Sequence, residues 1–409
     1  MNAKYIVVAM AIAALAFPSV GQSVKFKVLH NFGSSQDGNH PSGPLLLDSA
    51  GNLYGATGGG PGLDGYGVAF ELTPLRSGGW KETLLHAFVS TEGSPSPWGA
   101  FIEDSAGNLY GTTIGGPVSP SEAYELSPST AGWTHSTLYT DGAGPGLLMD
   151  STGNLYGFIG PGQLNDGAIG ELSPGSIGWT YSQLYSLCNF SGCPEGVNAL
   201  APPIWDEKGN LWGTTFEGGI GRPACTNDGI GCGVIYAMTP NSDGTWTYHV
   251  VHRFASSPTD GQFPAGGLVV DPAGSFYGST EGGGPHNNGT IFRLGYTAGK
   301  WKGTMLFDFP NCLKGCYPMG TIVRDSAGNL YGMAQGGPNN CGGLSCGVVY
   351  RLSPQSNGTW KYSVLIDLSE TTGGVLPFYG LTLDGKGNLY GVTDNFGKYG
   401  GGTVFEITQ

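Results

Sequence analysis

The sequence predicts an all-β fold: a seven-bladed β-propeller with four antiparallel strands per blade, its last blade closed by the N-terminal strand. Three observations carry this. One eight-residue block recurs seven times. Each copy sits inside a longer unit with four strand-like runs. The seventh unit lacks its fourth run, and a matching run stands at the other end of the chain.

In chain order, residues 1–21 read as a signal peptide. Lys4 supplies a short positive start. Residues 6–17 are apolar but too short to span a bilayer comfortably, and Ser19 and Gly21 are small residues ahead of a cleavage point. No lipobox Cys follows, and the chain ends at Gln409 without a hydrophobic tail. Membrane insertion of the mature chain is therefore not expected. The mature chain, residues 22–409, is expected to be a single propeller domain and a monomer.

The block D-S-A-G-N-L-Y-G starts at Asp48, Asp104 and Asp325. Its variants start at Asp150, Asp206, Asp271 and Asp384. The spacing between these Asp residues runs from 46 to 65 and averages 56 residues. In the first unit, residues 44–48, 52–57, 68–73 and 80–88 are the four runs. A tight turn joins the first two: Asp48 can accept backbone N–H groups there, and Gly51 can take a positive φ. The third run recurs as G-x-[VI]-[FY]-x-[LM] or a close relative. The fourth opens with Trp in six units, at Trp80, Trp133, Trp179, Trp246, Trp301 and Trp360. Positions that repeat this regularly predict blade packing rather than one sugar-stacking site. The seventh unit stops after its third run. Residues 24–32 (V-K-F-K-V-L-H-N-F) align with 80–88 (W-K-E-T-L-L-H-A-F), matching His30 to His86 and Phe32 to Phe88. A ring closed in this way removes two open edges.

The D-x-x-G-N-L-Y-G-T-T block resembles the GloVer tandem repeat of exported bacterial proteins. It is also similar to the propeller repeats of bacterial two-component sensors, whose usual core is E-D-x-x-G-x-[LI]-W-x-x-T; residues 103–113 (E-D-S-A-G-N-L-Y-G-T-T) show both likenesses. The resemblance spans essentially the whole mature chain. It implies the propeller architecture and no particular chemistry. Many GloVer proteins end in a sorting anchor; its absence here points to release or periplasmic residence.

Formal net charge is −13 with 30 acidic residues, which argues against nucleic acid as a partner. In a propeller, the blade-to-blade links and the loops between second and third strands share one face, and they are long and varied here. An acidic residue precedes Gly in five links: Asp37, Glu92, Asp141, Glu195 and Asp260. Near them sit His40, Trp98, Phe263, Tyr317, Phe378 and Tyr379, with His286 in a neighbouring loop. Asp37, Glu92 and Asp260 with these His and aromatic residues are the candidate ligand-binding residues, expected near the mouth of the central channel. Aromatic rings beside carboxylates suit carbohydrate; turn chemistry and strand packing are the competing account.

Eight cysteines in an exported chain suggest four disulfides. Cys188, Cys193, Cys225 and Cys232 flank the fourth blade; Cys312, Cys316, Cys341 and Cys346 repeat that layout at the sixth. Local pairing is the simplest arrangement, cross-pairing within a blade the alternative. Their spacings do not match a zinc knuckle. No catalytic residue, metal ligand or cofactor is assigned. There is no G-x-S-x-G, H-E-x-x-H or phosphate loop, and Arg222 is the single Arg in a loop-face segment. His30, His86 and His252 share one outer-strand position and read as structural. The expectation is an exported, non-enzymatic binding or scaffold propeller, extracellular or periplasmic, that recognises a glycan or an extracellular protein through its loop face. The alternative is a secreted polysaccharide lyase or glycoside hydrolase acting at the channel mouth.

Overall fold

The computed structural model describes residues 24–409 except 35–36, 61–65, 90–95, 116–120, 161–166, 191, 220–224, 226–230, 258, 339, 342–343 and 371–372. Residues 1–21, read above as a signal peptide, and Glu92 lie outside the described residues. Seven four-stranded antiparallel meanders follow one another. Blade 1 runs through Leu46–Leu47, Leu53–Gly59, Val68–Pro74 and Trp80–Ala87, with Asn39–Pro41 also paired to its second strand. Blade 2 is Ser96–Glu103, Leu109–Ile114, Glu122–Ser129 and Gly132–Thr140; blade 3 is Ala143–Met149, Leu155–Ile159, Ala168–Gly175 and Gly178–Ser186. Blade 4 is Ile204–Trp205, Leu211–Thr215, Val234–Pro240 and Trp246–Arg253; blade 5 is Val269–Val270, Phe276–Thr280, Thr290–Thr297 and Lys300–Asp308. Blade 6 is Cys316–Arg324, Leu330–Gln335, Val348–Pro354 and Trp360–Asp367. Blade 7 is Thr382–Leu383, Leu389–Thr393, Thr403–Thr408 and, from the other end of the chain, Lys25–Asn31. The expected closure is therefore present, from Lys25 opposite Thr408 to Asn31 opposite Thr403. No described helix is long and apolar enough to cross a membrane.

Every outermost strand breaks register at the same place. The shift falls between Val28 and His30 in blade 7 and beside His86 in blade 1. It recurs before Tyr139, Tyr185, His252, Phe307 and Ile366 in blades 2 to 6. A bulge re-aims the side chain that follows it. Here it swings that residue toward the outermost strand of the next blade. Four junctions stack rings in this way: His86 on His135 at 4.8 Å, Tyr139 on Tyr181 at 4.6 Å, Tyr185 on Tyr248 at 4.2 Å and Phe307 on Tyr362 at 4.3 Å between centroids. Five of the six Trp residues that open outer strands also meet a ring across a junction. Trp80 meets Tyr390, Trp179 meets Tyr110, Trp246 meets Tyr156, Trp301 meets Trp212 and Trp360 meets Tyr277. These are the expected blade-packing contacts.

The repeated Asp is a scaffold group. Asp48 Oδ1 accepts the N–H groups of Ala50 and Asn52, both at 2.8 Å; Oδ2 accepts Asn52 Nδ2 and the Tyr54 hydroxyl. The same carboxylate knot forms at Asp104, Asp150, Asp206, Asp271 and Asp384 with small changes of partner. With its oxygens already engaged by protein donors, this Asp has little left for calcium.

Acid should loosen these turns. Burial pushes the carboxyls of Asp104, Asp150, Asp206 and Asp271 up, but the donated hydrogen bonds outweigh it and hold each below its ordinary 3.8. A carboxyl depressed on folding contributes stability that is complete above its unfolded value and is lost as pH falls through the folded one. The melting temperature is expected to fall once pH drops below about 4, and calorimetric scans at pH 7, 4, 3 and 2 would read it. A flat profile across that range would refute the role given to these carboxylates.

Near the axis the blades approach too closely for side chains. A Cβ on Gly99 would lie 2.7 Å from Gly146 N, and one on Gly320 2.4 Å from the Tyr379 carbonyl carbon. Hydrogen bonds staple the same region. Ser42 Oγ donates to Pro97 O at 2.6 Å, Gly146 N to Thr112 Oγ1 at 3.1 Å, Thr214 Oγ1 to Gly266 O at 2.9 Å and Gly267 N to Thr321 Oγ1 at 2.8 Å.

Candidate functional site

Of the acids in the blade-to-blade links, Asp37 and Asp260 turn back onto the outermost strand they follow. Asp37 is 6% exposed and folds back onto the outermost strand, with Oδ2 at 3.2 Å from His30 Nε2 and Oδ1 accepting Gly33 N. Asp260 does the same with His252, at 3.1 Å, and also accepts Ser256 N and Oγ. The reason is position: the acid comes early in the link, where the chain has only just left the outer strand. Asp260 is held below the ordinary carboxylate range, because hydrogen bonds and charge from His252 and Ser256 outweigh burial. His40 and His286, the two loop-face histidines, are not brought together. His40 Nδ1 lies 3.3 Å from Asp394 Oδ2, and His286 Nδ1 contacts Asp308.

A second feature does organise the loop face. His40, Asn198, Phe263, Tyr317 and Leu376 all have positive φ, between 51° and 60°. They occupy one equivalent position, at the entry to the innermost strand of blades 1, 4, 5, 6 and 7. Such a conformation is uncommon for side chains of this bulk. Backbone hydrogen bonds enforce it. The N–H groups of His40, Phe263, Tyr317 and Leu376 donate to Gly401, Cys232, Asn288 and Cys346 of the preceding blade, while the carbonyls of Asn198, Phe263 and Leu376 accept Phe216, Glu281 and Asp394 N–H of their own blade. The side chains of His40, Phe263, Tyr317 and Leu376 are thereby set beside the second-to-third-strand loop of the neighbour. His40 meets Asp394, and Phe263 lies 5.2 Å from Phe216. No sequence signal announces this. Four of the five precede Pro, which by itself favours an extended backbone.

Where two such residues are aromatic and adjacent, a recess forms. Phe263 and Tyr317 line it with Phe216, Glu217, Gln262, Glu281 and Asn287, around about 440 Å³ between blades 4, 5 and 6. Tyr317 is 38% exposed and Phe263 half-buried. Burial raises the Glu281 carboxyl above its ordinary value. Glu217 and Glu281 were missed in the sequence because neither belongs to a recognisable motif. Trp98 and Phe378 are half-buried and follow the Pro that opens an inner strand. Tyr379 is packed against the cluster around Phe32 and Leu45, and burial with the nearby Asp394 charge pushes its hydroxyl up to about 12. None of these three lines the recess.

A larger cleft of about 890 Å³ opens on the opposite face between blades 4 and 5, around Trp212, Trp301, Tyr296 and His249. Two departures from the repeat create it. Ala237 stands opposite Trp212 where blades 1, 2 and 3 set Glu71, Glu125 and Glu171 opposite Tyr. Tyr296 faces Trp301 where Pro74, Pro128, Pro174, Pro240 and Pro354 face the other Trp residues. Its deeper rings are engaged with one another: Trp212 stacks on Phe276 at 4.2 Å and meets Trp301 at 4.8 Å.

The disulfides pair locally: Cys188 with Cys193, Cys225 with Cys232, Cys312 with Cys316 and Cys341 with Cys346. All four brace the loop face, and bonds of this kind persist in oxidising compartments.

Comparison with known proteins places these observations in a family. Among solved structures, the chain is similar to a candidate 6-phosphogluconolactonase from Bacteroides uniformis, at 12% identity over 81% of this chain and 86% of that one, TM-score 0.49. A protein from Lactobacillus plantarum matches at 14% identity over 80% and 84%, TM-score 0.46. The Cellvibrio cellulosa α-L-arabinanase complexed with arabinohexaose matches at 12% identity over 80% and 96%, TM-score 0.37. Likeness at these values carries nothing about ligand or activity. No curated protein matches. The sequence profile of the Gloeobacter/Verrucomicrobia repeat, however, covers residues 17–169 and 223–409, and the chain belongs to that family.

Proposed function

We propose that this chain is an exported, non-enzymatic propeller that binds a glycan in the loop-face recess between blades 4, 5 and 6. The observation that carries the reading is the pair Phe263 and Tyr317. Both are fixed by backbone hydrogen bonds in a left-handed conformation beside Glu217, Glu281, Gln262 and Asn287. Rings held rigidly cost little ordering on binding, and flanking carboxylates and amides offer hydrogen bonds to hydroxyl groups. The volume suits one to three sugar rings. The signal-like N-terminus and the four disulfides support export to the periplasm or beyond. The lyase or hydrolase alternative is not supported by the acids it was built on, since Asp37 and Asp260 are engaged by His30 and His252.

A glycan array followed by calorimetry on the best ligand tests this. Phe263→Ala and Tyr317→Ala are each expected to weaken binding about tenfold or more. Tyr296→Ala, in the cleft on the other face, should leave it unchanged. Binding lost in Tyr296→Ala and kept in the other two would move the site to that cleft. No binding across neutral, acidic and amino-sugar glycans would overturn the reading, and capture of a protein ligand through Phe263 would replace it.

A further inference from the structure

We infer that the seam where the ring closes holds a transition-metal dication, best matched by Zn²⁺, between His30, Asp37 and Glu82. His30 belongs to the closing N-terminal strand of blade 7, Asp37 to the link, and Glu82 to the outermost strand of blade 1. One donor atom from each lies within 4.8 Å of the other two. His30 Nε2 is 3.2 Å from Asp37 Oδ2 and 3.6 Å from Glu82 Oε2. Ligands about 2.0–2.2 Å from a tetrahedral zinc stand roughly 3.3–3.5 Å apart, so these spacings suit ligands of one ion. Three protein donors leave a fourth position for water. They are too few for Ca²⁺, which takes six to eight oxygens.

Departure from the repeat supports the assignment. Glu82 is the second residue after the blade-opening Trp. At four junctions the equivalent residue is a ring stacked on its neighbour: His135, Tyr181, Tyr248 and Tyr362. At the junction of blades 4 and 5 it is Gly303, and His252 and Asp260 face a small cavity of about 110 Å³ with no second carboxylate. Only the closing seam, among the described residues, puts a carboxylate there beside a second one. Glu82 Oε1 is buried and has no hydrogen-bond partner. Asp37 is buried as well. Two carboxylates placed together at a largely buried seam, with one buried oxygen unpaired, are costly unless a cation joins them. Zn²⁺ with a neutral imidazole balances both charges and gives the orphan oxygen's carboxylate a partner. The ion would clip the last blade to the first. His40–Asp394, His286–Asp308 and His252–Asp260 offer pairs only.

The test uses the full mature chain with any tag removed, stripped with chelator and titrated with ZnCl₂. One Zn²⁺ per chain should bind, and the melting temperature should rise by about 3 °C or more at saturating metal. Ca²⁺ should do neither. Glu82→Gln should abolish Zn²⁺ binding while raising the metal-free melting temperature, because it removes the buried repulsion. That combination separates a lost ligand from a damaged fold. His252→Gln, at the equivalent seam of blades 4 and 5, should keep the full response. Absence of stoichiometric Zn²⁺, or an equal response in Glu82→Gln, overturns the assignment.

Discussion

A chain lacking residues 24–32 is expected to lose cooperative folding and to elute as aggregate. This segment supplies the whole outermost strand of blade 7, paired from Lys25 with Thr408 to Asn31 with Thr403. Phe26 stacks on Phe405 at 5.2 Å, and the fully buried Phe32 reaches Phe70 of blade 1 at 4.9 Å. Each buried aromatic or Leu contributes on the order of 1.5–3 kcal/mol. Losing the fully buried Phe32 with the half-buried Phe26 and Leu29, and a whole strand ladder besides, removes a large share of an ordinary domain's stability of about 5–15 kcal/mol. Removal also uncovers Thr403–Thr408 as an unprotected edge, a template for pairing between chains. Circular dichroism melts and size-exclusion chromatography read the outcome. A permuted chain, with residues 24–32 joined by a short linker after Gln409, should melt as the parent does, because the ladder needs the strand and not its place in the sequence. A truncated chain that melts cooperatively as a monomer would contradict the account.

Gly320→Val should rank next, with a loss of about 3–5 kcal/mol in denaturant unfolding. Gly320 has φ of +71°, and an added Cβ would sit 2.4 Å from the carbonyl carbon of Tyr379 in the next blade. Two costs combine there: a left-handed backbone, about 1–2 kcal/mol for a side-chain-bearing residue, and a clash with backbone that cannot swing aside. Gly78→Val separates them. Gly78 has nearly the same φ, +81°, with nothing within 4 Å of an added Cβ, so it should lose only the backbone share. Equal losses at the two positions would mean that close approach near the axis is not what Gly320 serves.

The architecture was legible because it is written seven times. Each Asp–Asn–Tyr block builds the same carboxylate knot, and residues 24–32 match the outer strand they complete. The Trp residues were assigned correctly because a feature present in six units cannot belong to one site. The cysteines left two arrangements open, and the loops resolved them locally. The candidate site was read less well. Asp37 and Asp260 were grouped with the channel mouth by their place in the link, yet sequence does not show which way a side chain turns. The bulge that points His30 and His252 outward also draws those acids to the rim. Phe263 and Tyr317 were chosen as aromatics near acids, and the structure places both in one recess. Trp98, Phe378 and Tyr379, chosen on the same ground, stand elsewhere. Backbone torsion sorted them, and torsion at a residue before Pro leaves no mark in composition.

A left-handed residue heads the innermost strand in five of the seven blades. Backbone bonds made by its N–H, its C=O or both hold the conformation, and these do not depend on the side chain attached. His, Asn, Phe, Tyr and Leu already occupy it in five blades. Five blades thus present side chains of different chemistry from the same backbone geometry. Exchanging the side chain at one of these positions leaves the backbone bonds at the other four in place, so the display can vary blade by blade on an unchanged frame.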